Sequence, residues 1–317
     1  MLAILAITFP FFALVLCGYI AVRRQMLPQL AIPGMNGFVL YFALPCLLFR
    51  FGASTPLAQL LDPGVFGVYL LCGLLVVGLN VAATRRRGLD WNNSAFGALV
   101  AAFPNTGFMG VPLLVTLVGP AASGPVIVTL VVDLIITTSL CVALSRFGQG
   151  GGQGSGAALR HALAGMLRNP MPWAIVLGAL ASGLGLALPG PAARTVGLLA
   201  DAASPVALFT IGAVLARSHM NASAPTALAD VLPVALAKLL LHPLLMYAIG
   251  HLAMAAGAPL APSALTVLVL VACLPSASNV AMLAERFGAD TGRIARIILV
   301  STVLSFLSFS AAVAFLA

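Results

Sequence analysis

The sequence consists almost entirely of apolar stretches that are each about as long as a helix crossing a lipid bilayer. A spanning helix needs about 20 mostly apolar residues, and such stretches fill nearly all of the 317 residues. Charged residues make up only 7% of the chain, whereas a soluble domain carries about 25%. We therefore expect an all-α membrane protein and not a soluble globule.

Ten spans are predicted, and short connections with turn residues join them. Two of the connections place an aspartate, Asp62 or Asp90, just before a span, where its carboxylate is expected to cap the helix N-terminus. The approximate bounds of the spans are 3–22, 33–51, 64–84, 92–118, 123–145, 171–188, 195–216, 229–253, 263–284 and 293–316.

The arginines lie mainly in alternate connections. If the N-terminus is outside, the inner connections carry twelve arginines, and the outer side carries only Arg50 and Arg194. This bias follows the positive-inside rule. It predicts a multi-pass protein of the cell (inner or plasma) membrane with both termini on the outer side.

The longest polar connection divides the chain into two sets of five spans. Residues 1–145 form the first set, residues 146–169 a Gly-rich cytoplasmic linker, and residues 170–317 the second set. Because five is odd, the second set enters the membrane from the opposite side. If the sets share one fold, they are inverted repeats, an architecture typical of transporters. Pro45 and Pro205 occupy similar segments 160 residues apart (205 − 45 = 160), and Pro104 and Pro275 are 171 residues apart (275 − 104 = 171). The two offsets differ by 11, so a repeat requires a loop insertion in the second half.

Spans 4 and 9 each contain helix-breaking residues at mid-span. Span 4 carries Pro104, Asn105 and Thr106 followed by two glycines and a second proline, and span 9 carries Pro275 followed by small polar residues. Proline removes a backbone donor and clashes with the preceding turn. Irregular backbone at membrane depth is tolerated only beside protein or a wet cavity. The two breaks therefore predict a transport site.

The broken helices predict a site for a small organic anion. Each restarting half-helix presents unpaired N–H groups and the positive end of its dipole. The same side chains could instead only cap the half-helices, an alternative that stays open above all for Thr106 and Ser276. The predicted substrate-binding residues are Pro104, Asn105, Thr106, Pro275, Ser276, Ser278 and Asn279.

Residues 103–114, which read FPNTGFMGVPLL, resemble the signature of the auxin efflux carrier family. Residues 274–279 (LPSASN) with residues 285–288 (ERFG) resemble the second signature of its bacterial members. The resemblance spans essentially the whole chain. It implies two inverted five-helix repeats, broken helices 4 and 9 that cross centrally, elevator-type alternating access, and a homodimer. It also implies a carboxylate substrate, which is malonate-like in bacterial members and auxin in plant members. The middle loop is long in plant members and short in this chain, which departs from the plant pattern.

Span 5 contains Asp133, span 7 contains Asp201, and span 8 contains Lys238 and His242. Ionisable groups at this depth are costly and normally face protein or water. Lys238 and His242 share one helix face. We expect Lys238 to attract the substrate or to pair with either aspartate, and His242 to carry a proton. For Asp133 and Asp201, pairing that only stabilises the fold is the favoured interpretation.

Other classes of function fit the sequence less well. An intramembrane enzyme, with Asp133 and Asp201 as a dyad, lacks the expected motif context. An anion channel or uniporter-like pore is the alternative, although nothing resembles a selectivity filter. The basic residues form no stripe for nucleic acid, and the five cysteines lack metal-site spacing. We expect no cofactor, H⁺ or Na⁺ as the candidate coupling ions, and a lipid bilayer and a small carboxylate as partners.

Overall fold

The computed structural model describes residues 2–147, 170–220 and 228–316. In these ranges the regular elements are helical. Six helices are long and apolar enough to cross a membrane, and four shorter apolar helices accompany them. The Gly-rich linker predicted for residues 146–169 lies, from residue 148 onward, outside the described residues. The prediction of an all-α membrane protein is confirmed.

The helices follow the order of the predicted spans, and a short helix, Leu57–Leu60, precedes the third. Their bounds are α1 Leu2–Arg23, α2 Ala31–Ser54, α3 Pro63–Arg86, α4a Trp91–Ala102, α4b Thr106–Val118, α5 Pro120–Ser145, α6 Pro170–Gly183, α7 Gly190–Met220, α8 Leu228–Ala255, α9a Pro262–Cys273, α9b Asn279–Arg286 and α10 Thr291–Leu316. Helix α6 ends five residues before the predicted bound. Gly185 adopts φ 64° just after it, the left-handed conformation that commonly terminates helices.

The two predicted N-terminal caps are confirmed. A carboxylate oxygen of Asp62 accepts a hydrogen bond of 3.0 Å from the backbone N–H of Val65, at the start of α3. A carboxylate oxygen of Asp90 accepts one of 2.7 Å from the backbone N–H of Asn93, at the start of α4a. Each bond satisfies one of the donors that a helix N-terminus leaves unpaired.

The predicted interruptions of spans 4 and 9 are also confirmed. Helix α4a ends at Ala102 and α4b begins at Thr106, while α9a ends at Cys273 and α9b begins at Asn279. The residue before each proline is extended, with ψ 104° at Phe103 and ψ 153° at Leu274. A proline ring disfavours the helical conformation of the residue before it, so each helix stops where its proline requires.

Four helices contain a π-helical turn, at Val39–Ala43, Thr106–Gly110, Asp133–Thr137 and Ala237–Leu241. Such widened turns are rare and occur often at functional sites. Three of the four contain residues that the sequence singled out. These are Thr106, Asp133 and Lys238.

Glycines allow two helix pairs to approach closely. A methyl group at Gly18 of α1 would overlap the carbonyl oxygen of Phe209 in α7, and one at Gly212 of α7 would overlap that of Val15 in α1. Small residues at such positions let backbones touch in membranes, where van der Waals packing drives helix association. The pair α1–α7 is therefore tightly packed.

The pair α2–α6 repeats this arrangement. A methyl group at Gly178 of α6 would overlap the carbonyl oxygen of Phe49, and one at Gly52 of α2 would lie 3.0 Å from the carbonyl oxygen of Ile175. The remaining helices form a second group that packs mainly within itself, with α3 against α4a and α5, and with α8 against α9a and α10. Of this group, α4b and α10 also contact α1 and α7. The interrupted helices α4 and α9 therefore belong to the second group, and their breaks lie inside it.

Candidate functional site

The two helix breaks are hydrogen-bonded directly to each other. The backbone N–H of Asn105 donates to the carbonyl oxygen of Pro275 at 2.8 Å, and that of Ala277 donates to the carbonyl oxygen of Phe103 at 2.9 Å. The segments form a short antiparallel bridge. Each break thus pairs a backbone N–H and a carbonyl that the other break exposes. This pairing avoids the free-energy cost of unpaired polar groups within a membrane.

The polar residues of the first break lie at the start of α4b. Pro104 faces Ser276 across the bridge. Asn105 is buried, and its carbonyl oxygen accepts from the N–H groups of Met109 and Gly110 at 3.1 and 3.0 Å. Its side chain does not cap the helix. The Asn105 amide is thus available for another role, whereas Thr106 is fully buried with its hydroxyl 3.5 Å from the Pro104 carbonyl.

The second break leaves two buried polar atoms without partners. The backbone N–H of Ser276 donates to the hydroxyl of Ser301 at 3.2 Å, but the Ser276 hydroxyl itself has no partner among the described residues. The side-chain oxygen of Asn279 is likewise buried and without a partner in that part of the chain. Ser278 is half-buried and does not cap α9b with its side chain. Buried polar atoms without partners are rare and suggest a missing ligand or water.

A cavity of about 40 Å³ lies beside the second break. This volume holds roughly three waters, or a small solute of that size. Its charged lining residues are Arg217 of α7 and Glu285 of α9b. The wall is completed by Asn36, Leu40, Phe108, Ile211, Val214, Ser278, Asn279, Ala281, Met282 and Thr291. The cavity thus lies between α2 and α7 on one side and the crossing helices on the other.

Asp133 lies in a buried hydrogen-bonded group in the bundle. It is 1% exposed, accepts a bond of 2.6 Å from the hydroxyl of Tyr69, and accepts one of 3.1 Å from the hydroxyl of Thr137. Such charge-assisted bonds are short and strong. Both oxygens of the carboxylate are therefore satisfied by hydroxyl donors.

Lys238 contacts the end of a broken helix. Its ammonium nitrogen donates to the carbonyl oxygen of Ala272 at 2.6 Å and lies 3.3 Å from Nδ1 of His242. A cation at the C-terminus of α9a complements the negative end of the helix dipole. Within the described chain, Lys238 forms no ion pair with Asp133 or Asp201. The Nε2 atom of His242 is buried and has no partner there.

Asp201 lies apart from this group. Its side chain is 68% exposed and forms an ion pair of 2.6 Å with Arg50. Both residues belong to the end of the bundle that the arginine count places outside. The structure therefore buries Asp133, Lys238 and His242, with Lys238 against the end of α9a, and leaves Asp201 at the surface.

Several site residues were not found from the sequence. Tyr69, Thr137 and Ser301 are ordinary polar residues within apolar spans, and only the folded chain reveals their partners. Arg217 was counted as an orienting charge. In the structure Arg217 lies near the end of α7, one turn beyond Val214, and lines the same cavity as Asn279. Nothing in the sequence indicated this contact.

Comparisons with known proteins identify the family. Residues 3–313 match the family described as "Membrane transport protein". The "Putative malonate transporter" of Rhizobium meliloti (strain 1021) is 29% identical over 96% of this chain and 93% of its own length. An "Uncharacterized transporter" of Methanothermobacter thermautotrophicus is 29% identical over 93% and 92%. "Auxin efflux carrier component 3a" of Oryza sativa subsp. japonica is 31% identical over 36% of this chain and 19% of its own. The chain therefore belongs to the auxin efflux carrier family of membrane transport proteins, and it is a transporter and not an enzyme.

Proposed function

We propose that the protein is a secondary carrier for a small organic anion, with its binding site where α4 and α9 cross. The observation that carries this proposal is the direct hydrogen bonding of two helix breaks beside a small cavity. The N-termini of α4b and α9b favour negative charge. A carboxylate of the malonate type fits this preference and agrees with the name of one relative.

The available donors support an anionic substrate. The hydroxyl of Ser276 and the side-chain oxygen of Asn279 have no partners among the described residues, and a flip of the Asn279 amide would place its nitrogen, a donor, at the position of that oxygen. Arg217 adds a guanidinium to the cavity wall, and guanidinium groups bind carboxylates in a bidentate manner. Glu285 also lines the cavity, and its negative charge would repel an anion and so oppose the attraction by Arg217.

An inverted repeat is our proposal for the arrangement of the ten spans, with residues 1–145 and 170–317 as its halves. The close-packing glycines support it, because Gly18 and Gly178 are 160 residues apart, as are Gly52 and Gly212 (178 − 18 = 212 − 52 = 160). The same offset relates Pro45 to Pro205. Helix 1 packs against helix 7 as helix 6 packs against helix 2, which is what twofold pseudosymmetry requires.

We also propose an elevator-type movement, and the packing supports it. The glycine-packed helices α1, α2, α6 and α7 would form the scaffold, and the six others the moving part. The cavity lies between the two groups, where relative sliding would close it on one side and open it on the other. We place the termini outside a cell membrane, which makes the cavity face inward, and we expect the dimer that the family resemblance implies.

The proton is the coupling ion that we propose. Broken-helix carbonyls often coordinate Na⁺ in transporters, but here the Ala272 carbonyl already accepts a bond from Lys238. Asp133, Lys238 and His242 are instead protonatable groups buried close to the breaks. A change of protonation in this group would alter the charge at the end of α9a during transport.

Uptake by proteoliposomes tests the proposed function. Labelled malonate should enter with saturable kinetics, and Asn105→Ala should abolish saturable uptake while leaving the protein folded. Uptake proportional to concentration at all levels would favour the anion channel or pore. Absence of uptake for malonate and for a panel of small mono- and dicarboxylates would reject the carrier for this substrate class.

A further inference from the structure

A second cavity, of about 420 Å³, lies between α3, α8 and the start of α10. We call it the α3–α8 cavity. Its lining residues are Leu79, Asn80, Ala83, Thr84, Arg87, Leu89, Asp230, Pro233, Val234, Ala237, Leu241 and Arg293. They share no member with the cavity at the helix breaks. The proposed transport site therefore leaves this cavity unexplained.

One end of the α3–α8 cavity is basic. Arg293 is 4% exposed, and its guanidinium donates to the backbone carbonyls of Asn93 at 3.0 Å and Asp230 at 3.3 Å. Arg87 is exposed, and it donates to the carbonyl of Ala229 at 3.1 Å. Each guanidinium has five N–H donors, so donors remain for a ligand. The Asp230 carboxylate opposes them, which leaves two positive charges against one negative charge.

The rest of the cavity is apolar. Its hydrocarbon wall is formed by Leu79 and Ala83 on α3, and by Val234, Ala237 and Leu241 on α8. The hydroxyl of Thr84 and the amide of Asn80 are bonded to carbonyls of α3 itself, so they offer little to water. Leu79 is 49% exposed, so the cavity opens toward surface that lipid contacts.

We propose that the α3–α8 cavity binds one anionic phospholipid, with the phosphate at Arg87 and Arg293 and an acyl chain along the apolar wall. An occupant that is charged at one end and hydrocarbon at the other matches both parts of the lining. The arginine count places this end of the bundle at the cytoplasmic surface, where basic pockets between helices bind anionic headgroups. A free phosphate would fit the basic end only and would leave the apolar wall empty.

The test measures thermal unfolding of the full chain in detergent micelles with added lipid. Phosphatidylglycerol should raise the melting temperature in a saturable manner, whereas phosphatidylcholine with the same chains and inorganic phosphate should not. Arg87→Gln should raise the lipid concentration for half-maximal stabilisation about tenfold, the effect of losing one hydrogen bond to a charged group. Arg86→Gln is the matched control, since it removes one charge from the same helix end outside the cavity lining.

A second variant tests the cavity itself. Ala83→Phe should fill the space along the apolar wall and abolish stabilisation by phosphatidylglycerol. The control is Ala82→Phe, since Ala82 is exposed and does not line the cavity, and this variant should leave the stabilisation intact. Equal stabilisation by inorganic phosphate would mean an anion site without a lipid and would overturn the proposal. Equal effects of Arg87→Gln and Arg86→Gln, or of the two phenylalanine variants, would overturn it as well.

Discussion

The backbone N–H of Asn105 donates a 2.8 Å hydrogen bond to the carbonyl oxygen of Pro275, and this bond joins the two broken helices across the middle of the bundle. Because the reciprocal bond from Ala277 to Phe103 lies beside it, neither break can separate without exposing buried backbone groups. The breaks therefore form one rigid junction. The backbone groups carry the structural role, which leaves the side chains at the junction available for the proposed binding.

Asn279→Ala is expected to reduce uptake without reducing stability. The buried side-chain oxygen of Asn279 has no protein partner among the described residues, so its removal breaks no bond there. If the amide contacts the substrate carboxylate, its loss should lower kcat/KM about 10- to 100-fold, the value of a hydrogen bond to a charged group. Uptake and melting temperature are measured on the same preparations.

Asn92→Ala is the control for this prediction. The Asn92 amide donates to the carbonyl of Phe287 at 3.0 Å, and neither residue lines the cavity. Its loss should lower the melting temperature and leave uptake per folded molecule unchanged. An Asn279→Ala protein that transports normally would remove this residue from the site.

Gly212→Ala is expected to destabilise the α1–α7 pair. The added methyl group would overlap the Val15 carbonyl, a backbone atom that cannot rotate away, so we expect a loss of about 1–3 kcal/mol or more. Gly197→Ala, in the same helix with open space around it, should instead be neutral or stabilising by about 0.5–1 kcal/mol. Thermal unfolding in detergent distinguishes the two, and equal effects would contradict close packing at Gly212.

The sequence was sufficient to predict the helix breaks and the aspartate caps, because both depend on local chemistry. Pro104 and Pro275, each followed by small polar residues, disfavour the helix locally, whereas Pro205 without such residues lies inside the continuous α7. Asp62 and Asp90 bond residues three positions away. The partner of Lys238 could not be predicted, since the Ala272 carbonyl is brought to it only by the packing of α8 against α9a. The helix pairs could not be predicted either. Gly18 and Gly178 are 160 residues apart in the sequence, but the sequence does not show that Gly18 packs against α7 and Gly178 against α2.

The two aspartates of the predicted spans should differ in their effect on coupling. Asp133→Asn keeps a carbonyl acceptor for the Tyr69 hydroxyl but removes the buried ionisable group. If this group carries the coupling proton, the variant should lose the stimulation of uptake by an imposed pH gradient. Asp201→Asn, at the exposed ion pair with Arg50, should retain it. A pH response that survives in Asp133→Asn would exclude Asp133 as the coupling group.

The Asp90 cap should make stability depend on acidity. Partial burial alone would raise the pKa of Asp90, but hydrogen bonds from the backbone and side-chain N–H groups of Asn93 outweigh it and lower the pKa below its ordinary value. A lowered pKa stabilises the fold above the unfolded value of about 3.9, and this contribution is lost as pH falls through the folded value.

Asp90→Ala should therefore lower stability at neutral pH by about 0.5–2 kcal/mol, the typical value of an N-cap. The difference from the unmodified protein should shrink as pH falls below about 4. Melting temperatures at pH 7 and at acidic pH measure both. A difference that does not change with pH would mean that the charge on Asp90 does not contribute to the cap.

Arg217 should determine how well the carrier holds a second carboxylate. In the proposed site, the amide of Asn279 and the hydroxyl of Ser278 would bind one end of the substrate, and the guanidinium of Arg217 lies on the wall of the same cavity. Arg217→Gln should raise the KM for malonate about tenfold or more, as expected for a lost charged hydrogen bond. A monocarboxylate that reaches only the junction should be much less affected.

Arg217→Lys separates charge from geometry. A lysine keeps the positive charge but not the planar fork that binds carboxylates in a bidentate manner, so it should restore part of the malonate affinity. Uptake of malonate and of a monocarboxylate by the unmodified protein and by both variants gives the comparison. If Arg217→Gln changes the KM of the two substrates equally, Arg217 acts on the cavity as a whole, by attracting anions or by opposing Glu285, and does not bind a second carboxylate.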